Sequence, residues 1–236
     1  MDQSIKTIKA LFNYRNNLKN YEEKPAFGLI DEDPNMPNHK SYLKEIKNAR
    51  LGNYNLTNSD FELLNHVSKV VNFYDDQEIS EIYYQEIRDL VKSKTNADHV
   101  EIISHISRNE AEAESGKRKG AHRVVHNDFT PKFKDTLEPF FEETGFNPKK
   151  IVVYNLWRRF DEDGLDAPFA LCDSRTVSEK ELIPTDLYNY LEGEQNDIQV
   201  EIYQSSHNED HSWFYYPNMT AEELLMFKTY DSEASP

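Results

Sequence analysis

The sequence predicts a mainly β protein with helical additions, organised as one barrel or sandwich. Three observations carry that. Short alternating apolar segments crowd the chain from about residue 98 onward, and a single long stretch has helical spacing. In addition, 14 Tyr and 13 Phe supply the buried area that a hydrophobic fraction of only 37% would otherwise lack. At 236 residues the chain fits one large domain, with 1–97 read as helices, loops and outer strands and 98–232 as the β core.

Taken in order, Ile5, Ile8, Leu11 and Phe12 predict a strand over 4–14. Residues 20–60 are polar and carry Pro25, Pro34, Pro37 and Gly52, which predicts long loops with short ordered pieces. An extended segment is expected over 61–71. From Asp76, Ile79, Ile82, Tyr83, Ile87, Leu90 and Val91 recur at spacings of three and four behind acidic residues, the pattern of an amphipathic helix. Residues 99–107 alternate as a strand. The stretch from Asn109 to Gly120 is charged, small and without pattern, and predicts a mobile lid over whatever site adjoins it. Residues 131–144 suit one or two short helices broken at Pro139. Strands follow at 151–158 and 169–173, then a mixed segment at 179–191 with Pro184-Thr185-Asp186 capping a helical turn. The last strands fall at 198–204, 212–216 and 224–230.

The formal charge of −16 repels a nucleic-acid backbone, so the partner expected is a small molecule, and an anionic one needs a local cationic pocket. A single cysteine, Cys172 in the apolar run Phe169-Ala170-Leu171-Cys172, excludes an internal disulfide framework and reads as buried filler. No window approaches the ~20 apolar residues of a membrane span, and the N-terminal segment lacks a signal-peptide core. Together these predict a cytoplasmic protein.

The candidate chemistry lies in Val124-Val125-His126-Asn127-Asp128. Residues two apart on a strand share a face, so His126 and Asp128 are either a surface pair or two-thirds of a metal site. Two histidines and one carboxylate with open positions form the facial arrangement of non-haem Fe(II) oxygenases. The best second histidine is His211, at the start of a late strand, and His207 in the adjacent acidic loop competes with it. A zinc set of His122, His126 and Asp128 is the other reading, although His122 and His126 four apart suit a helix better than a β-branched strand.

Further pieces follow in order: Asn155-Leu156-Trp157-Arg158, Leu171-Cys172-Asp173-Ser174-Arg175, His211-Ser212-Trp213-Phe214-Tyr215-Tyr216 and Phe227-Lys228-Thr229-Tyr230-Asp231-Ser232. With Lys47-Asn48-Ala49-Arg50 and Phe73-Tyr74-Asp75 upstream, the chain resembles the CmcJ/AsaB-like family over most of residues 45–232. That family is named for a protein of cephamycin methoxylation and has relatives in fungal and bacterial natural-product pathways. Arg159 departs from it, because relatives usually carry proline there. The resemblance implies a double-stranded β-helix (a jelly-roll, cupin-like barrel) and Fe(II)/2-oxoglutarate oxygenase chemistry. It implies His126, Asp128 and His211 as metal ligands, with Fe(II), 2-oxoglutarate and O₂ as cofactors.

Such an enzyme needs a cation for the distal cosubstrate carboxylate. Residues 212–236 contain no arginine, which leaves Lys228 or Arg158, with Asn155 beside the latter as a further cosubstrate contact. Arg108, Arg50 and Arg175 are the candidates to meet a small-molecule substrate that is amino-acid-derived or anionic, and Asp173 with Arg175 also reads as an internal ion pair. Trp157, Trp213, Phe214, Tyr215 and Tyr216 read as core. The activity expected is hydroxylation, desaturation or oxidative cyclisation of a small molecule in specialised metabolism. Asp128 argues against a halogenase, since no ligand position is vacated. A non-catalytic accessory subunit on the same fold and a cupin-like zinc hydrolase are the competing classes.

Overall fold

A computed structural model describes residues 4–19, 23–28, 38–113, 115–160, 167–188 and 198–234. Eleven strands among these form three open sheets, ordered β1-β3-β10-β7, β4-β11-β6 and β2-β8-β9-β5. The strands are β1 (Thr7–Arg15), β2 (Ala26–Gly28), β3 (His39–Asn48), β4 (Phe61–Asn65), β5 (His126–Asn127), β6 (Val152–Arg158), β7 (Leu171–Cys172), β8 (Leu182–Tyr188), β9 (Ile198–Ser205), β10 (Trp213–Tyr215) and β11 (Glu223–Asp231). The mainly β class with helical additions is therefore observed.

The sheet β4-β11-β6 positions the rest. Strand pairing sets Leu225 opposite Trp157 and Phe227 opposite Asn155, so these four share one face. That face packs with Phe61, Phe214 and Met219. Leu224, Met226, Tyr154 and Leu156 take the other face, against Leu64, Ile87 and Val91. β11 is thus covered on both sides, which explains the unbroken apolar run Leu224-Leu225-Met226 where a half-buried strand would alternate. A third cluster joins Tyr14, Ile46, Trp213 and Tyr215, with Val125 packed against it.

The expected helix forms as α1 (Asp76–Glu78), a π turn (Ile79–Tyr83) and α2 (Tyr84–Thr95). Asp75 caps it by accepting from the Gln77 and Glu78 amides, and Asn96 ends it in the left-handed region at φ 55°. Short helices follow as α3 (Glu110–Ala113), α4 (Phe133–Thr136) and α5 (Glu138–Thr144), with the break at Leu137 and Pro139 tolerated in the first turn of α5.

Three expectations fail, each for a physical reason. β3 is a ten-residue strand inside a stretch read as loop. Its inward positions mix Lys44 and Asn48 with Ile46, while Leu43 is 62% exposed, so the hydrophobic alternation is broken. Lys44 is buried because its ammonium donates to the carbonyls of Asn208 and Glu209. Residues 99–107 form no strand. Val100 and Ile102 pack beside α2, and Ser107 and His105 bond to the Phe73 carbonyl and the Tyr84 hydroxyl. Pro184 lies within strand β8, not at a helical cap; β2 pairs only with Asp186–Tyr188, so the missing N–H of Pro184 costs no bond on that side. Expectations on residues 29–37, Glu114 and 189–191 fall outside the described residues.

Candidate metal centre

β5 is only two residues long, yet it fixes the His-Asn-Asp triplet from both sides. His126 and Asn127 pair with Gln204 and Tyr203 of β9. The Asn127 amide group donates to the Thr229 carbonyl of β11 at 3.0 Å and to the Phe129 carbonyl at 2.8 Å, tying the triplet to the neighbouring sheet. His126 and Asp128 then turn to the Asn155 face of β6, with His126 Nε2 3.3 Å from Asp128 Oδ1. Asn155 Nδ2 donates to the other oxygen, Oδ2.

The protonation pattern makes this pair reactive. His126 Nδ1 lies 2.7 Å from the Val124 carbonyl, which can only accept, so Nδ1 carries a proton. In the neutral ring Nε2 is then a lone pair facing a carboxylate oxygen, an arrangement that calls for a cation or a proton between them. Burial pushes the Asp128 carboxyl up, but with a proton on Nε2 the hydrogen bonds from His126 and Asn155 and the charge of His126 and His122 outweigh it and hold it at about 2. The carboxylate is ionised at any working pH. Two donors each about 2.1 Å from one ion, at right angles, stand about 3 Å apart, so the pair fits two positions of a facial site. The side chains keep 25% and 36% of their surface accessible, so an ion can reach them.

His211 is placed elsewhere. Its ring is bonded at both nitrogens, Nδ1 to the Tyr14 hydroxyl at 3.1 Å and Nε2 to Glu181 Oε2 at 2.9 Å, and its side chain is 1% exposed. Trp213 Nε1 donates to the same hydroxyl at 2.9 Å, completing a chain Trp213–Tyr14–His211–Glu181. His207 stacks flat on Tyr42 at 3.7 Å. Among the described residues no group of three His, Cys, Asp or Glu side chains is spaced to hold a metal ion, and that includes His122, whose ring packs against His126 at 3.8 Å. Of the expected set the structure brings His126 and Asp128 together and places His211 with Tyr14 and Glu181.

The predicted cationic anchors are also engaged away from the pair. Strand alternation puts Arg158 and Lys228 on the face of their sheet opposite Asn155. Arg158 donates to the His66 and Ala221 carbonyls and lies over the Phe73 and Tyr83 rings. Lys228 pairs with Asp60 at 2.7 Å. Arg50 makes a two-pronged bond to Glu223 at 2.8 and 2.7 Å, and Arg175 is clamped to Asp173 on a 3₁₀ turn, where its side chain is 62% exposed rather than internal. Arg108 donates to the Gly120 carbonyl and bridges Lys119 at the base of the 109–120 loop.

That loop carries ion pairs of its own and contacts to its neighbours. Asn109 caps α3, Glu112 pairs with Lys117 and Arg118, Glu110 pairs with Arg123, and Arg118 lies 4.1 Å over Tyr74. Burial pushes the Cys172 thiol up to about 12, which agrees with its reading as filler. No helix among the described residues is long and apolar enough to cross a membrane.

Comparison with known proteins adds a family and a fold. A family model described as Oxidoreductase/YMDC permease-like domain matches residues 12–236. Among curated proteins, the Fe(II)/2-oxoglutarate-dependent dioxygenase nvfI of Aspergillus novofumigatus is 31% identical over 159 residues, covering 65% of this chain and 55% of that protein. The hydroxylase/desaturase efuI of Hormonema carpetanum is 26% identical over 203 residues, covering 77% of this chain and 68% of that protein. The chain thus spans just over half the length of the first and about two thirds of the second. A solved structure of the iron and alpha-ketoglutarate-dependent endoperoxidase NvfI superposes with a TM-score of 0.78 at 22% identity, over 98% of this chain and 87% of that one. The fold is accordingly of the jelly-roll class expected.

Proposed function

The chain belongs to the family described as Oxidoreductase/YMDC permease-like domain, and on that footing we propose that it is an Fe(II)/2-oxoglutarate-dependent oxygenase acting on a small molecule in natural-product biosynthesis. The observation that carries the reading is the open His126–Asp128 pair, with Nδ1 of the imidazole committed to the Val124 carbonyl and Nε2 turned to an ionised carboxylate. In this reading His126 Nε2 and Asp128 Oδ1 hold the iron. The metal with 2-oxoglutarate and O₂ supplies the oxidising chemistry, giving succinate and CO₂. The Val124 carbonyl would keep the proton of a neutral imidazole on Nδ1 and leave Nε2 to the metal, while Asp128 would bind as a carboxylate. The names of the relatives, a dioxygenase and a hydroxylase/desaturase, support hydroxylation or desaturation as the outcome class. The ordered motifs from His126 to Ser232 support the narrower CmcJ/AsaB-like assignment.

The test is succinate release from purified protein with Fe(II), 2-oxoglutarate and O₂ across a panel of small metabolites. Formation that needs all three and is lost in Asp128→Ala supports the proposal. Succinate release that persists in Asp128→Ala, or that does not need Fe(II), contradicts it.

A further inference from the structure

We propose that Asn155 is a positioning residue for the metal site, acting through Asp128 rather than touching the cosubstrate. The inference rests on the reading of His126 and Asp128 as metal donors. Its geometry is a division of labour between two oxygens of one carboxylate. Oδ1 lies 3.3 Å from His126 Nε2, on the side where the ion would sit, while Oδ2 accepts from Asn155 Nδ2. Asp128 follows the two-residue strand β5, so the ladder does not fix the rotation of its side chain. An unheld carboxylate can rotate and offer either oxygen or both. A neutral amide on the far side locks one oxygen without adding a competing charge, which leaves a single-oxygen donor beside the imidazole.

The lock is itself rigidly mounted. Asn155 sits in the middle of β6, its cross-strand partner Phe227 is packed against Phe169 at 5.2 Å, and Phe169 stacks on Trp157 at 5.5 Å. Asn127 fixes the other end of the arrangement, because its bond to the Thr229 carbonyl holds the triplet to β11, the strand that also carries Phe227. Asn155 and Asp128 are therefore referenced to the same sheet, and their separation is set by backbone rather than by a flexible loop. Outer partners of this kind typically govern metal affinity by about tenfold to a hundredfold.

Two roles for Asn155 make opposite predictions. A residue that positions Asp128 affects metal binding with no cosubstrate present. A residue that binds 2-oxoglutarate affects only the cosubstrate. The experiment is anaerobic Co(II) titration of the full chain, without and then with 2-oxoglutarate, following the visible ligand-field bands. Wild type, Asn155→Leu, Asn155→Ala and His126→Ala are compared at a temperature where all remain folded by circular dichroism. The expected result is that both Asn155 variants lose about tenfold to a hundredfold in Co(II) affinity without 2-oxoglutarate, with altered band intensity, and that the cosubstrate adds no further loss. Having two donor-less variants of different size guards against a packing defect in either one. Unchanged Co(II) affinity in both, with or without weaker 2-oxoglutarate binding, overturns the positioning role. If His126→Ala binds Co(II) as wild type does, the underlying metal-site reading fails instead, and the two failures are distinct.

Discussion

Among the histidine–carboxylate pairs of the described residues, two that are buried to different degrees lie at similar distances. His126 faces Asp128 at 3.3 Å and His211 faces Glu181 at 2.9 Å. Their surroundings separate them. His211 is enclosed, with its remaining nitrogen on the Tyr14 hydroxyl, and Glu181 also accepts from the Ser178 amide and Asn208. Every polar atom of that chain has a partner, so nothing is left for a ligand. His126 has spent one nitrogen on a backbone carbonyl and turns the other to a carboxylate in a place that solvent reaches. A closed pair holds strands together, whereas an open one can bind an ion.

The largest effect that would break this comparison is in stability. His211→Ala should lower the free energy of unfolding by about 2–4 kcal/mol, since it removes two buried hydrogen bonds and leaves a cavity between Tyr14 and Glu181. Chemical denaturation at neutral pH measures it. A loss below about 1 kcal/mol would mean that the chain from Trp213 to Glu181 is not the structural element described.

Next in size is Arg158, whose guanidinium satisfies two carbonyls between two aromatic rings. Arg158→Ala should cost about 1–3 kcal/mol and leave the affinity for 2-oxoglutarate unchanged, because the side chain is on the face away from Asn155. Isothermal titration with 2-oxoglutarate checks the second half; a large fall in affinity would return Arg158 to the site.

These two residues also mark how far the sequence could be read. The H-x-D spacing and the strand period were sufficient to bring His126 and Asp128 together, and the order of motifs was sufficient for the fold class. The face that Arg158 and Lys228 take is less legible: the same period of two, counted from Asn155, puts both on the opposite face only once the β6–β11 register is known. Register is a long-range property and cannot be read within one strand. The partners of His211, Tyr14 and Glu181, are 197 and 30 residues away, and no local pattern announces a buried hydrogen-bond chain. β3 was missed because a lysine and an asparagine occupy inward positions that only distant carbonyls make tolerable.

A smaller effect is the pH dependence of the closed pair. Burial works against the Glu181 carboxylate, but the Ser178 amide, Asn208 and His211 outweigh it and hold its pKa below the ordinary 4.5. A depressed acid pKa contributes stability that is present above that ordinary value and lost as pH falls through the folded one. Glu181→Gln should therefore be less stable than wild type at neutral pH and converge on it in acid. Parallel stability curves down to the acid limb would contradict this. Smallest of all, His126→Ala should change metal-free stability by no more than about 1 kcal/mol, as expected for a partly exposed ion pair. A loss as large as that of His211→Ala would show that the open pair is structural too.

The most direct measurement is the visible charge-transfer absorption formed when Fe(II) and 2-oxoglutarate are added anaerobically to wild type, His126→Ala and His211→Ala, each at a temperature where it is folded. The account predicts that the band appears in wild type, is lost in His126→Ala, and survives in His211→Ala with Fe(II) affinity close to wild type. A band that survives in His126→Ala and vanishes from folded His211→Ala would contradict it, by placing the iron on the pair described here as closed.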